Sequence, residues 1–384
     1  MRKRRSPSQV MLDSIETPEE SQMDWLSQVA HRAKKETAVY DHKDIILAVD
    51  YHAQNIEVRW LNCSTGEERC LNIPTTRIGI LRLVEKAVAE AAQAGGKVVW
   101  IMESTTGWAR VKDLIGSRVQ FVMANVLQMP LPPKAYRHKT DKIDTGRILR
   151  EFLNGLLPRS YQPDLRWREL RRLVNSRQDL VKRQTAVKNW ISHFLHHETW
   201  ADREGLWTQK GLTRLHGLKL STSDRMVVDL KLQELEQLEA LREKVQAAMQ
   251  AVYDQWPEAQ WVDEVRGIGM VTAVSILAHI GPIERFPTAE DLISYAGLAP
   301  GHRRSDQTAH NGKIGGGGTD SHLRYLVIES MQWVCQIPRY RDAFDRAAAK
   351  HGKNIARIIV ARMLLRSIFK MLKDQVRFNQ VAAA

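Results

Sequence analysis

Residues 45–50 read Ile-Ile-Leu-Ala-Val-Asp, a continuous apolar run that ends in an acid. A strand in the middle of an α/β sheet is buried on both faces, and such strands are near-continuous runs of Val, Ile and Leu. The run therefore predicts a central strand of an α/β domain. Its last residue, Asp50, falls at the carboxyl end of that strand.

The segments that follow predict the rest of this domain. Two short segments, residues 55–61 and 69–73, have the pattern of strands joined by tight turns. Helix and strand then alternate, with helices at 78–94, 106–115 and 141–153 and strands at 97–102 and 119–123. Three meandering strands followed by this alternation are typical of an RNase H-like domain whose first strand lies mid-sheet. Periodicity alone fits an actin-like nucleotide-binding half or a Rossmann variant equally well.

Four acids distinguish between these folds. Glu103 directly follows the strand expected beside the first one, so its carboxylate should converge with that of Asp50. Asp141 and Asp144, three residues apart at a predicted helix start, share one helix face, with Cβ atoms about 5–6 Å apart. Four converging carboxylates repel each other unless cations are present, and two Mg²⁺ ions about 3.5–4 Å apart would neutralise them. Each acid taken singly also fits a turn or a helix start.

The balance of charges indicates a polyanionic partner. The chain has 57 Lys and Arg against 44 Asp and Glu, a formal net charge of +13, and this field favours nucleic acid. Its three cysteines have the spacing of neither a disulfide framework nor a zinc cluster. The N-terminus lacks a signal-type apolar stretch, and no apolar run approaches the roughly 18 residues of a membrane span. We expect a cytoplasmic, nucleoid-associated protein that binds DNA and has no membrane partner.

Basic residues lie beside the paired acids, on the polar face of a long predicted helix at 164–197, and in a polar loop near the C-terminus. The candidate nucleic-acid contacts are Arg137, Lys139, Lys142, Arg171, Arg172, Lys182, Arg183, Arg303 and Arg304. Cations beside the acids would draw a phosphodiester toward the metal ions. A solvated basic surface is the alternative for each segment.

Beyond residue 158 the pattern becomes helical. A second long helix at 224–253 has apolar residues near heptad spacing, so the two long helices predict an antiparallel arm or a dimerisation coil. Gly267 and Gly269 lie in a Gly-x-Gly turn that exposes backbone N–H groups, as helix-hairpin-helix motifs do to hold a DNA phosphate. A packing joint between helices explains these glycines almost as well.

These patterns divide the chain into four parts. They are an extension at 1–43, an RNase H-like catalytic domain at 44–158, a helical arm at 159–256, and a mainly α domain with a helix-hairpin-helix-like motif at 257–384.

Five motifs occur in order along the chain. They are Ala48-Val-Asp50, Glu103-Ser-Thr-Thr-Gly107, Lys139-Thr-Asp-Lys-Ile-Asp144, Gly267-Ile-Gly-Met-Val-Thr-Ala273 and Tyr295-Ala-Gly-Leu-Ala-Pro300. Together they resemble the IS110 insertion-sequence transposases, over about residues 45–334. The resemblance implies a RuvC-like first domain whose Asp-Glu-Asp-Asp set is Asp50, Glu103, Asp141 and Asp144. It further implies a C-terminal transposase domain with a serine nucleophile, and a structured guide RNA encoded by the element.

The resemblance places the nucleophile in the polar loop at 299–320, where Ser305 is the match. Asp306 stands where the family usually has a glycine, and the loop continues to a Gly-Gly-Gly-Gly stretch at 315–318. Ser321 and Ser330 are the alternatives, at or inside a predicted helix. His302 or a metal ion would activate the serine hydroxyl.

The expected function is that of a transposase. Mg²⁺-dependent cleavage through Ser305 would leave a phosphoserine linkage that a second DNA end reverses, in a homo-oligomer, either a dimer or a tetramer. One alternative is a metal-dependent junction nuclease in which water attacks. Another is a non-catalytic scaffold that binds nucleic acid.

Overall fold

A computed structural model describes residues 40–129, 141–199, 204–299, 302–305, 308–311, 314–316 and 318–383 of the 384-residue chain. The predicted contacts Arg137 and Lys139 lie outside these residues, as do the side chains of Asp141, Lys142, Arg303, Arg304 and Ser305. The chain forms two compact units, and the boundary between them falls after Gln162.

The first unit is built on a five-stranded mixed sheet. Its elements are β1 (Ile45–Tyr51), β2 (Asn55–Asn62), β3 (Glu68–Pro74), α1 (Arg77–Ala94), β4 (Val98–Glu103), α2 (Trp108–Ile115), β5 (Gln120–Ala124) and α3 (Asp141–Leu153). The strand order is β3-β2-β1-β4-β5. β2 is antiparallel to β1 and β3, whereas β1, β4 and β5 run parallel. The first strand lies mid-sheet as predicted, and this arrangement fits an RNase H-like domain.

Local signals explain the helix ends. The Thr76 side chain accepts a hydrogen bond from the N–H of Gly79 at the start of α1, and Gly95 ends this helix at φ 71°. α2 begins two residues later than predicted, because Gly107 adopts φ 103° at its N-cap. Glu103 is the last residue of β4, whereas the sequence placed it just after that strand.

The two faces of the sheet carry different helices. Ile45, Leu47 and Val49 pack with α1 and α2 on one face. Ile46 and Ala48 pack with α3 on the other. Since side chains alternate along a strand, Asp50 belongs to the face that α3 covers.

The second unit is mainly helical. Its elements are α4 (Leu165–Phe194), α5 (Gln209–Gly217), α6 (Thr222–Gln255), α7 (Pro257–Asp263), α8 (Met270–Ile280), α9 (Ala289–Tyr295), β6 (His302–Ser305), β7 (Thr308–Asn311), α10 (Ser321–Val334), α11 (Pro338–His351), α12 (Lys353–Asp374) and α13 (Phe378–Ala383). The core surrounds α8, in which every residue from Ala273 to Ile280 is buried.

The two long helices α4 and α6 pack on each other within the chain. Val174 and Met249 share one apolar cluster, and Ile191 and Val228 share another. The start of α4 therefore lies beside the end of α6, so the pair is antiparallel. None of the described helices is long and apolar enough to cross a membrane.

The polar segment at 299–320, predicted as a loop, contains a short two-stranded ribbon. β6 and β7 are antiparallel, and Ser305 pairs with Thr308 at the end of the ribbon. Both strands consist almost entirely of polar residues, so they lack the apolar alternation by which a half-buried strand is identified from sequence.

Candidate functional site

Two of the four predicted acids occupy adjacent positions on neighbouring strands. β1 and β4 are parallel, and Val49 pairs with Met102. Asp50 and Glu103 are each one residue further on, at the carboxyl ends of these strands. Both alternate onto the face covered by α3, since Ala48 and Ile101 pack against that helix. Asp50 is buried, with 8% of its surface exposed.

The first turn of helix α3 lies toward the end of the sheet that carries Asp50 and Glu103. Phe152, near its C-terminus, packs 6.1 Å from the ring of Tyr40, which precedes β1. α3 therefore runs opposite to β1, and its first turn lies toward the end of the sheet that carries Asp50. Thr145 and Ile148 are buried against the sheet, and the half-buried Asp144 is one turn before Ile148.

The surroundings of these acids are charged. The Nε2 atom of His52 lies 3.3 Å from the Asp50 carboxylate. On β2, Arg59 forms an ion pair with Glu68. A Cβ atom added at Gly146 of α3 would lie 3.1 Å from the Arg59 guanidinium carbon, so this glycine allows the helix to approach the arginine.

The metal site remains a prediction. No three His, Cys, Asp or Glu side chains among those the structure describes come close enough to hold a metal ion. Asp141 is the first residue of α3, but its side chain is not one of those described.

The predicted basic contacts on α4 fall into two groups. Arg172, Lys182 and Arg183 are exposed. Arg171 instead donates hydrogen bonds to the carbonyls of Ala278 and His279, at 2.7 and 2.9 Å. These carbonyls are in the last turn of α8, where cationic donors offset the helix dipole. The Arg171 guanidinium therefore joins two helices of the unit.

The Gly-x-Gly turn connects α7 to α8. Gly267 adopts φ 92°, and an added Cβ atom would lie 2.2 Å from the Trp333 Cβ atom. Gly269 is the N-cap of α8, and its φ of −91° is open to any residue. Gly267 thus serves a close contact between α10 and the turn, which is the packing-joint interpretation.

The alternative serines occupy different environments. Ser330 is 3% exposed and donates a hydrogen bond to the Leu326 carbonyl within α10. Ser321 is exposed, at the first position of α10. Burial makes Ser330 a poorer candidate nucleophile than the exposed Ser321.

Sequence reasoning missed a buried polar cluster in the second unit. The Asp320 carboxylate accepts hydrogen bonds from His279 Nδ1 at 2.8 Å and from the Tyr295 hydroxyl at 3.1 Å. The His322 ring stacks on that of His279, with 4.4 Å between centroids. Burial alone would raise the pKa of Asp320, but the hydrogen bond and charge of His279, together with hydrogen bonds from the Leu323 N–H and the Tyr295 hydroxyl, lower this pKa to about 2. The one early signal was a histidine in the otherwise largely apolar α8.

Two family models match the chain. Residues 259–346 match the model described as the transposase IS116/IS110/IS902 family, and residues 47–198 match a DEDD transposase model of the IS110 type. Asp50, Glu103, Asp141 and Asp144 lie within the latter segment, and Ser305 within the former.

Two curated proteins are similar over part of their lengths. The "Insertion element IS110 uncharacterized 43.6 kDa protein" of Streptomyces coelicolor is 29% identical over 136 residues, which are 35% of this chain and 33% of that protein. The "Putative transposase y4qE" of Sinorhizobium fredii is 25% identical over 206 residues, 53% of this chain and 49% of that protein. The chain thus spans a third of the first relative and about half of the second.

Proposed function

We propose that this chain, which matches two family models of IS110-type transposases, cuts and exchanges DNA strands as the transposase of an insertion element. One observation carries the proposal. Asp50 and Glu103 lie side by side at the end of the sheet toward which the first turn of α3 is directed. This arrangement lies within the segment that matches the DEDD transposase model.

The acids suit a hard divalent cation. Asp50 and Glu103, with Asp141 and Asp144 of α3, would hold Mg²⁺, two ions in the site, because carboxylate oxygens are the ligands that Mg²⁺ prefers. The ions would polarise the scissile phosphate and offset the negative charge that develops on it. The chain itself holds the acids rigidly in place. Asp50, Glu103 and Asp144 lie on β1, β4 and α3, and buried residues such as Val49, Met102 and Ile148 anchor these elements.

Ser305 is the proposed nucleophile. Its hydroxyl gives up its proton as Oγ attacks the phosphorus, the phosphorus–oxygen bond of the strand breaks, and the departing oxygen takes up a proton. The product is a DNA strand joined to the protein through a phosphoserine diester. The hydroxyl of a second DNA end then attacks the same phosphorus and releases the serine, so strands are exchanged without net hydrolysis.

The proposed partners are nucleic acids. The family resemblance supports a structured guide RNA, and the net charge of +13 favours both DNA and RNA. On α4, the exposed side chains of Arg172, Lys182 and Arg183 are the described residues best placed to contact phosphates. The turn at Gly267 is less favoured for this role, because that glycine is already accounted for by packing against Trp333.

Strand exchange requires both the acids, which belong to the first compact unit, and Ser305, which belongs to the second. We favour a homo-oligomer, a dimer or tetramer, because exchange acts on two DNA duplexes at once. The long helices α4 and α6 are the proposed site of assembly.

The test uses purified protein, the nucleic acid that copurifies with it, and labelled DNA carrying the element ends. Sequencing the copurified nucleic acid identifies the guide. Cleavage and joining of the labelled ends with Mg²⁺, but not with chelator, would support the proposal. Cleavage without joining would favour the junction nuclease, and binding without cleavage would favour the scaffold.

A further inference from the structure

The segment that carries Ser305 is tied to the helical core at both of its ends. The Gly315 N–H donates to the Gly297 carbonyl at 2.9 Å, and the Asp320 N–H donates to the Tyr295 carbonyl at 2.7 Å. The segment therefore leaves and re-enters the core through one closed stem. How that stem is held therefore constrains where the ribbon can lie.

Three buried or half-buried side chains hold the stem, and we call His279, Tyr295 and Asp320 the stem cluster. One carboxylate oxygen of Asp320 accepts from His279 and Tyr295. The other accepts from the N–H groups of His322 and Leu323, at 3.1 and 2.9 Å, and so caps α10. A single carboxylate thus joins the end of α8, the end of α9 and the start of α10.

Arginines fix the cluster from outside. Arg171 lies 3.4 Å from the Tyr295 hydroxyl while it binds the last carbonyls of α8. The Arg285 guanidinium lies 4.2 Å from the centre of the Tyr295 ring and donates to the Ile280 carbonyl. The ring and hydroxyl of Tyr295 are therefore both held in place.

Burying an ionised carboxylate is costly, and apolar side chains of similar volume would join these helices at least as stably. Directional hydrogen bonds, however, permit only one arrangement of the groups they join. The main effect of a polar cluster at this stem is therefore to fix the arrangement of the joined helices, and its contribution to stability is secondary.

We propose that the stem cluster is a positioning device for strand exchange, which sets the direction in which the ribbon bearing Ser305 leaves the core. The inference rests on the proposed function. Tyr295 and Asp320 act through the ribbon and are positioning residues. A small misplacement of a reacting group can cost on the order of 100-fold in rate.

The test compares Tyr295→Phe with a matched control. Tyr340→Phe also removes one tyrosine hydroxyl from the second unit, and that hydroxyl lies 2.8 Å from Ser367 Oγ. We expect Tyr295→Phe to slow single-turnover formation of the protein–DNA adduct by about 10- to 100-fold. It should leave the DNA Kd unchanged and speed hydrogen exchange at residues 298–319. Tyr340→Phe should lower Tm similarly but leave the adduct rate and this exchange at wild-type values.

Wild-type rates and exchange in Tyr295→Phe would overturn the inference, as would equal slowing in both variants. Asp320→Asn, which keeps the shape but loses the charge, should slow adduct formation more than Tyr295→Phe. If the wild type forms no adduct, the serine chemistry of the proposed function fails instead. Hydrogen exchange at 298–319 then still decides whether the cluster controls the ribbon.

Discussion

Asp50 and Glu103 lie at adjacent positions of the parallel strands β1 and β4, one residue beyond the paired Val49 and Met102. Neighbouring strands are about 4.8 Å apart, so the two carboxylates are close enough to share metal ions. Because α3 runs antiparallel to β1, Asp144 approaches the same end of the sheet. Two apolar strands of the sequence thus place their terminal acids together in a candidate catalytic centre.

Removing one carboxylate from this centre should abolish cleavage without unfolding the protein. Asp50→Asn, Glu103→Gln, Asp141→Asn and Asp144→Asn each keep the side-chain shape but lose a charge that a divalent ion needs. We expect at least a 100-fold loss of Mg²⁺-dependent cleavage of labelled DNA, of the order that a missing catalytic charge costs. The matched control is Glu85→Gln, an exposed acid on the helix that covers the opposite face. Wild-type cleavage in Asp144→Asn would contradict the four-acid site.

The exposed basic residues of α4 should bind nucleic-acid backbone. Replacing Arg172, Lys182 and Arg183 together by Ala should weaken DNA binding. It should also flatten the plot of log K against log salt by about one unit per lost phosphate contact. The control removes three exposed positive charges from α11: Arg341, Arg346 and Lys350. If the salt slope of the α4 variant is unchanged, or if the control changes it equally, this face of α4 is only a solvated surface.

Gly267 should be required for stability. Gly267→Ala forces a side chain into a left-handed conformation and against Trp333, which should cost roughly 2–5 kcal/mol of unfolding free energy. Gly269→Ala is the control. Its φ is ordinary and its nearest neighbour, Asp263 Oδ1, is 4.0 Å from the added Cβ atom, so it should cost under about 1 kcal/mol. Denaturant unfolding measures both. Equal losses would contradict the packing role.

The second unit should lose stability as the pH falls below neutral. Burial, and then the charges of His279 and Lys182, lower the pKa of His322 from 6.5 to about 4, against the opposing effect of Asp320. Between these pH values the unfolded chain binds a proton that the folded chain does not, so unfolding free energy decreases as pH falls. We expect His322→Gln to show a smaller decrease in Tm between pH 7 and pH 4.5. An identical pH dependence in this variant would contradict the assignment.

The sheet could be predicted because its signals are local. The runs ending at Asp50 and Glu103 define buried strands, and the order of helices and strands favours one topology. The clearest difference, Glu103 within β4 instead of after it, is a shift of one residue at a strand end.

The role of Arg171 was harder to predict, because Arg171 and Arg172 are the same residue type at adjacent positions. A helix turns by about 100° per residue, so adjacent side chains face different surroundings. Arg171 is four residues after Trp167 and three before Val174, which both pack into the core. That spacing was the available signal for an inward-facing arginine.

The local pattern offered one sign of the stem cluster, the histidine within the largely apolar α8, and did not identify the residues that bind it. His279 and Asp320 are 41 residues apart, and only tertiary packing brings them together. The ribbon of β6 and β7, whose first strand ends at Ser305, was missed for a different reason. Its strands have no apolar face.

Trapping a covalent protein–DNA intermediate tests most directly whether strands are exchanged through a serine nucleophile. A serine nucleophile leaves protein joined to DNA, whereas attack by water leaves free ends. End-labelled DNA is incubated with Mg²⁺ and wild type, Ser305→Ala, Ser321→Ala or Ser330→Ala. The reaction is stopped with denaturant, and any adduct is digested to locate the modified residue. We expect an adduct on Ser305 that is lost only in Ser305→Ala, with DNA binding intact. Efficient Mg²⁺-dependent cleavage with no adduct in any of the four proteins would contradict it.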